Sequence, residues 1–344
     1  TLAAVTPDLA ASGRIWAYSY GYGERSVETR IARQLADARK LPFQAFTIQP
    51  YLFDQIEPLL AYTEGFQDIT QARQMSVRAE IASHADTSIA ALWGDVWLDS
   101  IGLSDQPQMS DHQVQQHTLK KTMKPAGWLL ENLALPRLKL PSAQPLLEAF
   151  VGAELQPLEQ LRDPDFRVKA YKTDQWSFRW SIPPTRIFQS AAWPRKVFYD
   201  TRLADFFATV PSSYFCGRKL QIDYLKRFAP DLARVPWQVY DANLFHYQHF
   251  HTWLVPKRAV KKAWRVLARK PVLHRNWEVQ FLSPSGRAGL EHWLLRPGLK
   301  VHNLVSPVAL QKLLESFFSA PLPSGAAYPL SMLLTFSAWL EMYG

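Results

Sequence analysis

"RIWAYSYGYGERSVETRIARQLADARKLPFQAFTI", residues 14–48, is the stretch that decides the fold class. Its opening, "RIWAYSYG", is rich in aromatic and β-branched residues and stops at Gly21, as a strand does. "SVETRIARQLADARK" (26–40) sets Ile31, Leu35 and Ala38 on one helical face, with Ser26 placed to cap its N-terminus. "LPFQAFTI" (41–48) reads as a second strand. Strand, crossover helix and strand at this spacing predict parallel pairing. Further on, two helical segments, 51–62 and 70–84, lead into a third strand, "TSIAALW" (87–93). Ligands on parallel sheets sit beyond the C-terminal strand ends. Gly21 and the pair Gly94-Asp95 fall at such ends.

After residue 105 the alternation stops. The remainder is rich in Trp, Pro and Leu and reads as helical, with irregular connections at "ALPRLKLPSAQP" (134–145) and "SPSGRAG" (283–289). The expected class is α/β: a parallel sheet with flanking helices, followed by a mostly helical C-terminal region. Of the 344 residues, 47% are hydrophobic, which excludes a disordered chain. Cys216 is the single cysteine, so no intramolecular disulfide can form, and a reducing, cytoplasmic setting is the expectation. The C-terminal run "YPLSMLLTFSAWLEMY" is too short and too polar to span a bilayer. The formal net charge of +9 favours anionic partners in general. Nothing besides charge points to nucleic acid.

Several segments resemble the synthetase domain of the glutamine-dependent asparagine synthase family, whose fold is adenine-nucleotide α-hydrolase-like. "YSYGYGERSVETRIARQLADARKLPFQAFTI" (18–48) is similar to that family's second strand, glycine-containing loop, helix start and next strand, with Val27-Glu28 where Asp-Glu is usual. "DITQAR" (68–73) resembles its "DxTxxR" segment, and "GDVWLDSIG" (94–102) its "GDELFGG" segment. "RKVFYDTRLADFFATVPSSYFCGRKLQIDYLKRFAPDLARVPWQ" (195–238) resembles its later helical stretch. The likeness covers roughly residues 1–240. It implies a nucleotide-binding α/β part over 1–105, truncated at its N-terminus, then a helical part over 106–245 and a helical extension over 246–344. "TLAAVTPDLAASGRIWAYSYG" (1–21) looks like the helix and strand that follow the family signature "SGGLDS". The expectation is therefore a fragment, inactive alone, whose phosphate loop lies upstream.

The resemblance implies an ATP-dependent carbon–nitrogen ligase. ATP would activate a carboxylate as an acyl-adenylate, and ammonia from an upstream glutaminase domain or another source would displace AMP. ATP and Mg²⁺ are the implied cofactors. Asp95 takes the position of the aspartate at the pyrophosphate and metal site, and Mg²⁺ needs only one or two carboxylates beside phosphate oxygens. Tyr20, Gly21, Ala90, Ala91 and Gly94 take nucleotide-lining positions, while Asp68, Arg73 and Lys219 are weaker candidates on the substrate side. For Asp95 a turn-capping role is the competing reading. Three departures stand out. Leu92 replaces a glutamate and cannot act as acid or base, Trp93 replaces a glycine, and Asp99-Ser100 replaces the final glycine pair. The family's lysine aligns at Ile222, with Lys219 and Lys226 a turn to either side. These changes point to a specialised member, or to a degenerate one that binds a nucleotide or partner without catalysis.

Other signals have simpler readings. His246, His249 and His251 in "FHYQHFH" (245–251) have no acidic partner nearby and read as semi-buried histidines rather than metal ligands. Arg179, Arg186 and Arg195 could offer guanidinium groups to a substrate carboxylate, and Glu64 lies with Asp68 and Arg73 on the connection before the third strand, near the expected crevice. "SPSGRAG" reads as a turn. "PKRAVKKAWRVLARK" (256–270) places Val260, Trp264 and Leu267 on one stripe among Lys257, Lys261, Lys262, Arg265 and Arg269. The stripe predicts a surface helix docked by its apolar side. Attachment of 257–270 to an acidic membrane or polymer is the other reading.

Overall fold

The structure is a computed structural model that describes residues 2–23, 26–103, 108–123, 127–267, 276–319 and 325–344, apart from the side chains of 262 and 265–267. It is mostly helical and holds two small sheets of two strands each. β1 (Ala17–Gly21) and β2 (Phe43–Thr47) are parallel, in the register Ala17↔Phe43 to Gly21↔Thr47. The helix Val27–Ala38 connects them, as the pattern of 14–48 predicts. Ser26 stands at its N-cap, but its hydroxyl donates to Glu28 Oε2 (2.8 Å) instead of capping the backbone.

The expected single sheet is not formed. β3 (Thr87–Ala90) pairs with β4 (Trp193–Lys196), beside the point where Trp193 N–H donates to the Asp86 carbonyl (2.7 Å). Central parallel strands bury both faces. β2 leaves Gln44, Ala45 and Thr47 exposed, and β3 leaves Thr87 and Ile89 exposed, so neither has the flanks of a central strand. The segment expected as one helix over 70–84 is two short 3₁₀ turns followed by the helix Arg78–His84.

By contacts the chain forms two units that alternate along the sequence. The first comprises Thr1–Gln49, Ile89–Asp99 and Lys196–Val272. In it Val5, Ala10, Ala36 and Leu41 pack together under β1 and β2, while Trp16, Tyr18 and Phe46 form a ring cluster. Burial, helped by the neighbouring Tyr20, holds the Tyr18 phenol well above its ordinary pKa. A second cluster gathers Ile222, Ala233, Leu244 and Phe250. Arg39 pairs with Asp231 at 3.3 Å.

The second unit comprises Pro50–Ser88, Ser100–Arg195 and Leu273–Gly344. Its C-terminal helix Ala327–Tyr343 is buried along much of its length and is bonded to the segment 50–88. Thr335 Oγ1 accepts from Ile69 N–H (3.1 Å), and Ser331 and Thr70 hydroxyls meet at 2.6 Å. Thus residues expected as an extension and residues expected in the nucleotide-binding part share one core. No helix among the described residues is long and apolar enough to cross a membrane. "SPSGRAG" opens the helix Pro284–Leu295, with Ser283 Oγ accepting from Gly286 N–H (3.0 Å), so it is a helix start rather than a free turn.

The basic segment departs from its docked reading. The helix Leu254–Leu267 packs through Leu254 and Arg258, while Val260 and Trp264 are about 70% exposed. Lys262, Arg265, Leu267 and Arg269 have side chains outside the described set.

Candidate functional site

β3 ends at Ala90, and the chain turns through Trp93 into the short helix Gly94–Trp97. Trp93 adopts a left-handed backbone (φ 73°), a conformation that costs a non-glycine residue about 1–2 kcal/mol. This is the position where the resemblance expects glycine. The indole is buried, 6.3 Å from the Tyr199 ring, so Trp93 fills the interior rather than offering a stacking face to a ligand. At Gly94 an added Cβ would lie 2.5 Å from the Phe198 ring, so glycine is needed there for close packing. Trp97 completes the anchorage: Nε1–H donates to the Phe198 carbonyl (3.1 Å), and its ring stacks on Phe207 at 5.9 Å.

This anchored turn presents Asp95 outward. The carboxylate is exposed, makes no hydrogen bond or ion pair among the described residues, and lines a cavity of about 540 Å³. Ala91 and Gly94 line the same cavity. Most of the wall is apolar, from Leu98, Phe198, Leu203, Phe206 and Phe207. Arg218, Gln221 and Tyr224 supply the remaining polar groups. A second cavity of about 510 Å³ shares Ala91, Arg218 and Gln221 with the first and is bounded by Ile31, Leu35 and Trp237.

Arg218 is the cation of both cavities. It follows Gly217, and both residues have left-handed backbones (φ 58° and 62°) where the chain enters the helix Lys219–Phe228. Its Nε donates to Asp99 Oδ2 (3.0 Å), and its guanidinium lies 5.7 Å from the Trp237 ring centre. From the sequence, Ile222 takes the lysine position of the resemblance, with Lys219 and Lys226 a turn to either side and a solvated helix face the simpler reading of both. Ile222 is 1% exposed in the core and lines the second cavity, the exposed Lys219 has its ammonium 5.7 Å from the Tyr214 ring centre, and Arg218 and Gln221 line both cavities. The signal for Arg218 was present in "CGRK", where a glycine precedes an arginine at a helix start.

The other predicted residues are placed elsewhere. Ala90 closes β3 without lining either cavity, and Tyr20 and Gly21 end β1, also without lining them. Gly21 has a structural duty, since its carbonyl accepts from Ile48 N–H (2.9 Å) and a Cβ would meet Ser26 at 2.4 Å. Asp68 and Arg73 belong to the second unit, where Asp68 is buried beside a separate apolar cavity of about 640 Å³. Glu64 pairs with Arg186 at 2.5 Å. No group of three or more His, Cys, Asp or Glu side chains poised for a metal occurs among the described residues. Asp95 is a single exposed carboxylate, the kind of ligand that Mg²⁺ takes beside phosphate oxygens and water.

The same loop has a second carboxylate partner, in the second unit. Asp165 is fully buried, and its Oδ1 accepts from three successive backbone N–H groups, Ile101 (2.7 Å), Gly102 (3.0 Å) and Leu103 (3.1 Å). Lys169 Nζ lies 3.7 Å from Oδ2. Nothing in the sequence reading foresaw this clamp.

Searches against family models, curated proteins and solved structures find no match to this chain.

Proposed function

We propose that this chain carries part of an asparagine-synthase-like ligase site, in an adenine-nucleotide α-hydrolase-like setting, that activates a small-molecule carboxylate with ATP. The observation that carries the reading is the exposed Asp95 carboxylate lining a cavity of about 540 Å³, on an anchored turn after a strand. In this reading Asp95 would hold Mg²⁺, which would supply charge neutralisation to phosphate oxygens. Arg218, already oriented by Asp99, faces an anionic group. Gln221 and Tyr224 offer donors and acceptors, and the Phe198, Phe206 and Phe207 wall excludes water from the activated carboxyl. Ammonia comes from a glutaminase domain or another source.

A second reading, a degenerate module that binds a nucleotide or partner without catalysis, is favoured by one observation. The family's lysine position is Ile222, buried at 1% exposure, so no cation can act from there. Carboxylate-dependent ATP–pyrophosphate exchange by the full-length protein, over a panel of carboxylates, separates the two. Exchange with at least one acid supports the ligase. Stabilisation by Mg²⁺-ATP with no exchange on any acid supports the binding module. Neither exchange nor stabilisation overturns both.

A further inference from the structure

We propose that the helix Leu254–Leu267 is an interfacial anchor that lies on an anionic lipid surface. Its amphipathicity is turned outward. The side facing the first unit carries Leu254, which packs against the Ile222, Ala233, Leu244 and Phe250 cluster, and Arg258. Arg258 Nη2 donates to the Phe250 carbonyl (2.5 Å), and its guanidinium sits 5.1 Å from the Tyr240 ring centre. The opposite side carries Pro256, Ala259, Val260, Ala263 and Trp264, all exposed. Trp253, just before the helix, is 81% exposed and continues the same stripe. At 100° per residue, positions 253, 260 and 264 lie within about 40° of one another.

Charge selects the surface. Lys257 borders the stripe on one edge, and Lys261, beyond it on the same edge, pairs with Asp241. From Asp241 to Glu278 the sequence has no other acidic residue, while Lys257, Arg258, Lys261, Lys262, Arg265 and Arg269 fall between them. Nucleic acid would meet such cations without needing an apolar stripe between two tryptophans. A bilayer interface uses both, apolar groups in the acyl boundary and cations at the headgroups.

The test is sedimentation of the full-length protein with vesicles of phosphatidylcholine alone and of phosphatidylcholine mixed with phosphatidylglycerol. Binding is expected to the mixed vesicles only. It should fall more than about tenfold in Trp253→Ser/Trp264→Ser, which removes the inserted groups. It should fall roughly fivefold in Lys257→Gln. Both variants lie on the exposed side and should melt as the wild type does. Equal binding to neutral vesicles, no binding to anionic ones, or undiminished binding by the tryptophan variant overturns the proposal. So does tighter binding to a polyanion such as heparin that survives Trp253→Ser/Trp264→Ser. These outcomes are independent of ATP–pyrophosphate exchange, so the ligase reading can fail or stand separately.

Discussion

Asp95 and Asp165 are carboxylates that serve opposite purposes within reach of one short stretch, residues 94–103. Asp165 is fully buried and spends its Oδ1 on three backbone N–H groups, with Lys169 beside its other oxygen. Asp95 is exposed, lines a cavity and has no partner among the described residues. A buried carboxylate survives only when paired and hydrogen-bonded. An exposed one held on a rigid turn is free to engage a ligand. Asp165 fixes the backbone of residues 101–103, while Asp95 leaves its carboxylate unspent.

Removing Asp165 should therefore do the most damage. Asp165→Ala leaves three N–H groups and the Lys169 ammonium unsatisfied in the interior, and urea unfolding should show a loss of roughly 3–5 kcal/mol. A loss below about 1 kcal/mol would mean that water replaces the carboxylate and the clamp is dispensable.

Trp93→Gly tests the turn from the other side. Glycine relieves the left-handed strain of about 1–2 kcal/mol but removes a buried indole worth about 3–5 kcal/mol. The variant should lose about 1–4 kcal/mol by the same measurement, the difference of those two terms. A stabilised variant would show that the indole contributes little. Gly94→Ala should cost about 1–3 kcal/mol, because its Cβ would meet the Phe198 ring at 2.5 Å.

The smallest effect concerns pH. Burial, reinforced by Lys121 and Lys120, holds the His117 pKa below its ordinary value of 6.5. As pH falls below 6.5 the unfolded chain takes up this proton before the folded one. Stability present above that value is then lost through the window beneath it. His117→Gln should flatten the decline of the melting temperature in that window. An unchanged slope would place the acid sensitivity elsewhere.

Local features were the legible part of this sequence. The strand, helix and strand of residues 14–48 follow from periodicity, and β1 and β2 pair in parallel as that pattern predicts. Asp95, Ala91 and Gly94 reach one cavity because a strand end and a short turn fix their direction. Partners distant in sequence were not legible. The pairing of β3 with β4 joins segments about a hundred residues apart, and Asp165 finds its N–H groups more than sixty positions away. Helix rotation was hidden too. Periodicity marked Lys219 and Lys226 as a solvated face of Lys219–Phe228 but did not single out Arg218 and Gln221, which line both cavities beside the buried Ile222 of the second. In Leu254–Leu267 the apolar stripe exists but faces outward, which periodicity alone does not decide.

The account rests on Asp95 being spare to the fold and essential to the ligand. Its most direct test is Asp95→Asn in the full-length protein, melted and assayed for carboxylate-dependent ATP–pyrophosphate exchange beside the wild type. The account predicts unfolding free energies equal within about 0.5 kcal/mol and exchange lost in the variant alone. Exchange that persists undiminished in Asp95→Asn would contradict it.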